Sequence, residues 1–265
     1  MFDTMKVVIR VKIKKIKKLG SKYKITLDNG EVLYTFDDVI LKNNLLYTKE
    51  ISSDLLHKLE RDTEYYDVYN KVVNMIARRL RSEREIYDYL KKLNVDEEEA
   101  EEIVYTLKMI KLIDDYNFAK AYTHDRISLS LDGPYKISRY LEEQGVDSDI
   151  VNEMIRSYPK DLIDERIERI VKKRIKTNKM YTGHALKQRI KVYLVRLGYS
   201  REDIEKHLYL VEYDTALLER EMERFYKKYS LKYEGEELYL FLKSKLLSRG
   251  FRNSDVDNYL KKKQF

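Results

Sequence analysis

Two adjacent carboxylates, Asp114 and Asp115, are the residues of this chain that first suggest acid–base chemistry. General acid–base catalysis needs groups that face each other across a substrate, and sequence neighbours do not converge in that way. A helical pattern starts directly after the pair, at a position where acceptors for free backbone N–H groups and negative charge are both favourable. We therefore predict that the pair caps a helix, and we predict no catalytic residue in this chain.

The other residue types that support catalysis or metal binding are sparse or absent. His57, His124, His184 and His207 share no metal-ligand spacing, and the chain has no cysteine for disulfides, thiolate catalysis or zinc binding. Phosphate-loop, dinucleotide-binding, zinc-protease and serine-hydrolase motifs do not occur. The sequence therefore predicts no enzyme, no metal site and no cofactor.

Positive charge is the remaining feature that could bind a ligand. Residues 6–24 contain nine Lys or Arg and no acid, and residues 166–191 contain ten, with Glu168 as the sole acid. Smaller clusters lie between them in the chain. The candidate contact residues outside the N-terminal cluster are Arg78, Arg79, Arg81, Arg84, Arg126, Lys136, Arg139, Lys172, Lys173, Arg174, Lys187, Arg189 and Lys191.

Composition limits the class of protein. The 265 residues are 37% charged and 43% hydrophobic, with a formal net charge of +7, which fits a folded protein with a nucleic-acid or acidic protein partner. No run reaches the roughly 20 apolar residues of a membrane span, and the first residues lack the pattern of a secretory signal. We expect a cytoplasmic protein that does not enter a membrane.

The first 50 residues have the pattern of β-strands. Val7, Ile9, Val11 and Ile13 alternate with other residues, as in a half-buried strand. Two further alternating segments flank Asp28-Asn29-Gly30, a strong hairpin signal because Asn-Gly tolerates positive φ. From Ser52 onward the pattern is helical, with a first helix that Ser53 or Asp54 could cap. These patterns predict a small β-rich domain followed by helices.

Internal repeats dominate the helical part. Asn94, Gly145, Gly198 and Gly250 stand 51, 53 and 52 residues apart, and apolar residues recur eight and four positions before each and one position after it. Gly and Asn accept the left-handed conformation that ends a helix, and Asp96, Asp147, Ser200 or Asn253/Ser254 could cap the helix that follows. Tyrosines 89, 140 and 193 lie beside the repeated leucines and are expected to be half-buried.

Further capping signals mark where helices begin within the repeats. Ser82 and Glu85 form a capping-box pattern, and Gly133-Pro134 is typical of a helix start, which we expect to set the angle between repeats one and two. The fold class is mainly α, with tandem three-helix repeats in an elongated curved solenoid behind the β-rich domain. The predicted boundaries are 1–50 for the β-rich domain, 51–64 for a linker helix, and 65–111, 112–160, 161–212 and 213–265 for repeats one to four.

The repeats also make the basic clusters stronger candidates for a binding site. A single cluster is more often a solvated face than a site, but a solenoid aligns recurring positions into one track. A phosphate backbone or an acidic protein groove would suit such a track.

With the repeats aligned, the chain resembles the RecX family, the regulators of the RecA recombinase. The residues that carry the resemblance are Leu112-Ile113-Asp114-Asp115, Phe118-Ala119, Arg126, Gly133-Pro134, Ile137, Leu141 and Gly145-Val146. The similarity is most specific over 65–155, and the hairpin segment TLDNGEVLYTF resembles the longer members. Asn94 departs from the Gly of the other repeats but tolerates the same geometry.

The resemblance implies a non-enzymatic protein that binds the RecA–single-stranded DNA filament and inhibits its ATP hydrolysis and strand exchange, or promotes its disassembly. No catalytic residue is implied. A monomer is the expected form, and single- or double-stranded DNA is a further partner. The alternative is a helical-repeat protein that binds DNA or RNA directly.

Overall fold

A computed structural model of the chain describes residues 10–262. Lys6, Val7 and Ile9, which the sequence assigns to a basic strand, lie outside the described residues. The strands are β1 (Arg10–Leu19), β2 (Lys22–Leu27), β3 (Val32–Phe36) and β4 (Glu50–Ser52). The helices are α1 (Asp37–Lys42), α2 (Ser53–Ile76), α3 (Glu83–Lys92), α4 (Glu97–Met109), α5 (Asp115–Leu129), α6 (Pro134–Glu143), α7 (Ser148–Arg156), α8 (Lys160–Thr177), α9 (Gly183–Arg196), α10 (Arg201–Glu205), α11 (Ala216–Tyr229), α12 (Gly235–Ser248) and α13 (Asn253–Lys262). A mainly helical chain with a small N-terminal sheet is thereby confirmed.

The N-terminal sheet is antiparallel throughout, in the order β3-β2-β1-β4. One face packs against α1 and α2. The core between them consists of Ile25, Leu27, Val39, Ile40, Leu45, Ile51 and Leu59. An isolated pair of strands is marginal in water, and a larger sheet needs cover for its apolar face, so the helices that pack here stabilise the sheet.

The predicted hairpin between β2 and β3 is present. Gly30 has φ 89°, and Asn29 keeps a negative φ and accepts a hydrogen bond from the Glu31 N–H through Oδ1 at 3.0 Å. The Leu27 N–H donates to the Glu31 carbonyl at 2.9 Å and closes the loop. Only the glycine therefore uses the left-handed region at this turn.

Helix α2 runs for 24 residues without a break, so the segment 51–64 continues directly into the first helix of repeat one. Its N-cap is Ser52, whose hydroxyl accepts a hydrogen bond from the Leu55 N–H at 3.2 Å. The expected cap at Ser53 or Asp54 is wrong by one or two residues, because Ser52 still has the extended backbone of β4.

The aligned Asn and Gly positions end their helices as the sequence predicts. Asn94, Gly145, Gly198 and Gly250 have φ of 58°, 77°, 89° and 92°. In each case the next residue donates its N–H to the carbonyl five positions back, at 3.1–3.4 Å, which is the Schellman arrangement. The repeated apolar positions before them are at most 2% exposed: Ile86, Leu90, Ile137, Leu141, Ile190, Leu194, Leu242 and Leu246.

Most of the predicted caps are confirmed. Asp96, Asp147 and Ser200 each accept a backbone hydrogen bond at the start of the third helix of a repeat, and Ser82 with Glu85 forms the capping box of α3. Helix α13 begins at Asn253 itself, where the Val256 N–H donates to the carbonyl of the preceding Arg252. The structure thus shifts only the last of these helix starts.

The two adjacent carboxylates serve two different helices. Asp114 Oδ1 accepts a hydrogen bond from the Asn117 N–H at 3.0 Å and caps α5. Asp115 Oδ1 accepts a hydrogen bond from the Glu83 N–H at 2.8 Å, at the first residue of α3. Burial raises the pKa of the Asp115 carboxyl above its ordinary value, and the Glu83 N–H opposes that rise. Both groups are structural, and Asp115 joins helices of two predicted repeats.

The chain divides into two compact units, residues 1–118 and 119–265, and α5 begins in the first and continues in the second. None of the described helices is both long and apolar enough to cross a membrane.

Within the second unit, backbone contacts join consecutive repeats. The Gly133 N–H donates to the Leu197 carbonyl at 2.6 Å, and the Tyr135 N–H donates to the Gly198 carbonyl at 3.0 Å. A Cβ on Gly198 would lie 2.4 Å from the backbone nitrogen of Lys136. We refer to this contact between the start of α6 and the end of α9 as the first seam. Gly133-Pro134 therefore docks repeat two on repeat three. The sequence assigned this pair to the angle between repeats one and two, but the contact involves no residue of repeat one.

The same contact recurs one repeat later. The Thr182 N–H donates to the Arg249 carbonyl at 2.9 Å, and a Cβ on Gly250 would lie 2.1 Å from the Thr182 carbonyl oxygen. This second seam joins the start of α9 to the end of α12. The aligned glycines thus end a helix and also admit the backbone of the preceding repeat.

Substituting the glycine of the first seam tests this close contact. Gly198→Ala is expected to lower the free energy of unfolding by roughly 2–5 kcal/mol, from about 1–2 for the left-handed conformation and about 1–3 for overpacking. Gly235→Ala is the matched control, because Gly235 also has positive φ but has open space around its Cβ position. Urea unfolding followed by circular dichroism measures the free energy of unfolding of both variants. Equal losses of that free energy would contradict a close backbone contact at Gly198.

The buried Asp115 carboxyl predicts a pH dependence. Because its folded pKa is raised, the folded chain keeps a proton that the unfolded chain has released, so this group's contribution to stability falls as pH rises from about 4 through the raised pKa. Asp115→Asn removes that fall and keeps an oxygen acceptor for the Glu83 N–H.

We therefore expect the unfolding free energy of Asp115→Asn, relative to the unsubstituted chain, to rise with pH between about 4 and 7. Asp115→Ala loses the acceptor and should cost about 0.5–2 kcal/mol at neutral pH. Urea titrations at several pH values measure both effects. A difference for the Asn variant that stays constant with pH would exclude this role of the carboxyl.

Candidate polyanion-binding groove

Side chains of α8, α9 and α11 surround a groove of about 970 Å³ in the second unit. Among the described residues that line it, six are cationic and one is acidic. The cations are Arg174, Lys179, Arg189, Arg196, Arg220 and Arg224, and the acid is Glu221. All six cations are exposed. A concave surface lined by one sign of charge concentrates the potential, so this groove attracts anions.

Two arginines of the groove are stacked on tyrosines. The guanidinium of Arg174 lies 3.7 Å from the centre of the Tyr193 ring, and that of Arg189 lies 4.2 Å from the Tyr181 ring. Stacking holds the plane of each guanidinium while its N–H edge stays accessible. An oriented guanidinium edge can donate two parallel hydrogen bonds to a phosphate or a carboxylate. The two stacks therefore present ordered donors on the groove wall.

The segment that connects α8 to α9 is organised by Asn178. Its Oδ1 accepts hydrogen bonds from the N–H groups of Met180 and Tyr181, at 3.3 and 3.1 Å. Its Nδ2 donates to the Tyr181 carbonyl at 2.7 Å. Asparagine side chains often close short turns in this way. The closed turn fixes the position of Tyr181, and hence of the guanidinium that stacks on it.

Helix α11 braces the same turn from the opposite side. Arg220 Nη2 donates to the Lys179 carbonyl at 2.7 Å, and Arg224 Nη1 lies 3.3 Å from the Met180 sulfur. The two arginines are four residues apart and so lie on one face of α11. They line the groove and hold one of its walls at the same time.

Glu221 is the carboxylate that balances these arginines. It is 2% exposed, and its Oε2 lies 2.9 Å from Arg224 Nη2, as an ion pair without the alignment of a hydrogen bond. Arg249 Nε lies 4.0 Å from the same oxygen, and its guanidinium lies over Tyr181 at 4.5 Å. A buried carboxylate needs such partners. Glu221 therefore connects α11 to the end of α12 beneath the groove.

The groove contains only part of the basic set chosen from sequence. Arg174 and Arg189 line it, and Tyr193 lies half-buried below Arg174, as the repeat pattern predicts for this tyrosine. Lys172 is paired with Glu168 at 2.5 Å and lies outside the lining.

Several other candidates in the second unit are bound to carboxylates. Asp132 pairs with Lys136 at 2.6 Å and with Arg126 at 3.9 Å. The remaining pairs are Arg139 with Glu143 at 3.4 Å, and Lys191 with Glu205. Exposed pairs such as Arg139 with Glu143 contribute little to stability, and every one of these pairs reduces the positive charge that a partner meets.

The candidates of the first unit form a separate cluster at the start of α3. Arg79 Nη2 and Arg81 Nη1 contact Glu85 Oε1 at 2.5 and 3.2 Å, so these two cations are partly neutralised. The candidates without an ion pair inside residues 10–262 are Arg78 and Arg84 of this cluster and Lys173, Arg174, Lys187 and Arg189 of the second unit.

Four lining cations are missing from the set chosen from sequence. Lys179 lies in the basic segment 166–191, whereas Arg196, Arg220 and Arg224 lie beyond it. The four-residue spacing of Arg220 and Arg224 on the first helix of repeat four is the signal that could have identified them. Sequence proximity does not connect Arg220 and Arg224 to Arg174, because α11 meets the turn after α8 only in the folded chain, where Arg220 donates to the Lys179 carbonyl.

The histidines lie apart from this groove. His57 and His207 approach carboxylates of Glu60 and Asp164 at 3.4 and 3.6 Å. No group of three or more His, Asp or Glu side chains placed to hold a metal ion occurs in the described part of the chain.

Comparisons with known proteins place this fold in a known context. The family model described as "RecX, first three-helix domain" matches residues 69–104, and that described as "RecX, second three-helix domain" matches residues 114–155. The regulatory protein RecX of Oceanobacillus iheyensis is 27% identical over 269 residues, covering 97% of each chain. That of Streptococcus pneumoniae is 28% identical over 261 residues, covering 95% of this chain and 99% of its own.

Two crystal structures resemble the fold. One, of a regulatory protein RecX, has a TM-score of 0.64 at 22% identity and covers 74% of this chain and 97% of its own. The other, of RecX from Lactobacillus salivarius, has a TM-score of 0.51 at 26% identity and covers 55% of this chain and 94% of its own.

The buried acid of the groove provides a stability test. Glu221→Gln is expected to lower the free energy of unfolding by about 1–3 kcal/mol, because Arg249 and Arg224 lose their shared carboxylate. The control is Glu223→Gln, which removes an exposed charge from the same helix and should change stability by less than about 0.5 kcal/mol. Urea unfolding compares the two, and equal effects would show that Glu221 does not hold the groove together.

Proposed function

We propose that this chain, which belongs to the RecX family, is a non-enzymatic cytoplasmic regulator of the RecA recombinase. In this proposal it binds the RecA–single-stranded DNA filament and mainly inhibits ATP hydrolysis and strand exchange in recombination and DNA repair. The observation that carries the proposal is the groove lined by six cations and one buried acid.

The chemistry of the groove suits a nucleoprotein partner. A filament presents phosphates and acidic side chains, and both are ligands for oriented guanidinium edges. Phosphate contacts by Arg and Lys release counterions and so give affinity without base specificity. The Arg174–Tyr193 and Arg189–Tyr181 stacks would then fix the register of the bound strand or segment.

Regulation in this scheme needs no catalytic group. A protein that binds one state of a filament more tightly than another shifts the population towards that state. Tight binding to a state that neither hydrolyses ATP nor exchanges strands would inhibit both activities. Arg78 and Arg84 of the first unit offer additional cations, and contacts from several repeats of one monomer would add through effective concentration.

The second candidate is direct binding of DNA or RNA without RecA. It is favoured by the same stacked arginines, because a free phosphate backbone would satisfy them equally well. The two candidates differ in what they require. Inhibition of RecA at protein concentrations that leave free single-stranded DNA unbound would support the first, and binding of the free strand with no effect on RecA would support the second.

Charge reversal in the groove tests the proposed function. Arg174→Glu combined with Arg189→Glu should raise the concentration needed for half-inhibition of the DNA-dependent ATPase of RecA by roughly tenfold or more, because two oriented phosphate or carboxylate contacts are lost. Strand exchange measured with the same proteins should recover in parallel.

The control makes the same change in net charge on α8, one of the two helices that carry the test residues. Lys173→Glu combined with Lys176→Glu reverses two exposed lysines of α8 that do not line the groove, so inhibition should change by less than about threefold. Circular dichroism checks that both variants are folded. Equal losses in both would attribute inhibition to net charge, and no effect of saturating unsubstituted protein on RecA would disprove the proposed function.

A further inference from the structure

The N-terminal sheet carries a second concentration of positive charge, separate from the groove. Strands β1, β2 and β3 contain no Asp or Glu. Four of the eight cations on these strands form ion pairs with carboxylates of neighbouring segments. Arg10 and Lys12 pair with Glu50, Lys18 pairs with Asp37, and Lys22 pairs with Asp67. Lys14, Lys15, Lys17 and Lys24 make no ion pair within residues 10–262.

The strand register collects three of these unpaired lysines on one face. Lys17 lies directly opposite Lys24, and Lys15 lies opposite Thr26, on the face that points away from the core. The buried Ile25, opposite Ile16, belongs to the other face. Like charges directly opposite each other destabilise a sheet, so the Lys17–Lys24 pair is not explained by folding.

An exposed aromatic ring continues the same row. Tyr34 of β3 is the partner of Lys24 on its other side, and it is 52% exposed. Lys17, Lys24 and Tyr34 thus form a line across three adjacent strands. An exposed aromatic ring on a sheet offers a base a surface to stack on, and neighbouring cations can hold its phosphates.

We propose that Lys15, Lys17, Lys24 and Tyr34 form a binding face for single-stranded nucleic acid, in which the lysines contact successive phosphates and the Tyr34 ring stacks on a base. Alternate residues of a strand are about 7 Å apart and neighbouring strands about 5 Å apart, so the cations form a surface wide enough for an extended strand. Lys14 lies at the irregularity of β1 between Ile13 and Lys15 and adds charge at the margin.

This binding activity is independent of RecA and of the groove. A nucleic acid is favoured over an acidic polypeptide because the row combines cations with an exposed ring. Stacking on an aromatic face is open to every base, whereas a Glu- or Asp-rich segment would gain nothing from Tyr34 beyond its charge contacts.

The test uses the full chain carrying the groove substitutions Arg174→Glu and Arg189→Glu, so that the groove does not contribute. Fluorescence anisotropy of a labelled oligothymidylate, without RecA, should show at least fivefold weaker binding after adding Lys17→Glu, and a shallower dependence on salt. Melting temperature should stay equal or rise, because a like-charge pair becomes an opposite-charge pair.

Two further variants complete the experiment. Tyr34→Leu should weaken binding about three- to fivefold while leaving the salt dependence unchanged, since it removes stacking and no charge. Lys58→Glu, on α2 at the opposite side of the sheet, should bind as its parent does. The proposal fails if Lys17→Glu binds as its parent does, if Lys58→Glu loses as much affinity as Lys17→Glu, or if polyglutamate displaces the oligonucleotide at equal charge.

Discussion

The backbone contact between Thr182 and Arg249 is the interaction on which the groove depends. Its hydrogen bond joins the start of α9 to the end of α12, and the missing side chain of Gly250 allows the two backbones to meet. Thr182 is fully buried, and its hydroxyl accepts a hydrogen bond from the Asp214 N–H just before α11. One residue thus positions both helices that face each other across the groove.

This constraint explains how so many arginines can share one surface. Arg174, Arg189, Arg220 and Arg224 are each held by a neutral group or by the buried carboxylate: tyrosine rings, a backbone carbonyl, a methionine sulfur and Glu221. The neutral partners orient a guanidinium without cancelling its charge, whereas Glu221 offsets the charge of Arg224. The cations outside the groove are more often paired with carboxylates, as Lys172 is with the exposed Glu168 and Lys136 is with the buried Asp132. The local difference in pairing, more than the number of cations, distinguishes the groove from the rest of the basic surface.

The two compact units use positive charge in different ways. In the second unit the cations line a concave site built from long helices, and their donors are oriented. In the first unit, lysines of β1 and β2 lie on an open sheet face beside Tyr34. A flexible lysine supplies charge without a fixed direction for its hydrogen bonds, whereas a stacked arginine donates hydrogen bonds in a fixed direction. The proposed roles follow this difference, with a shaped partner at the groove and an extended strand at the sheet.

The sequence by itself determined the helices, their ends and the repeat, because these depend on local properties. The positive φ of Gly198, the cap at Asp96 and the burial of Leu90 follow from residue type and spacing within a few turns. Only the tertiary structure decided which cations meet. Arg174 and Arg224 are 50 residues apart, and they share a groove because Thr182 and the Lys179 carbonyl hold α11 against the turn between α8 and α9. Those contacts depend on the exact approach of two segments distant in the chain, which no local pattern encodes.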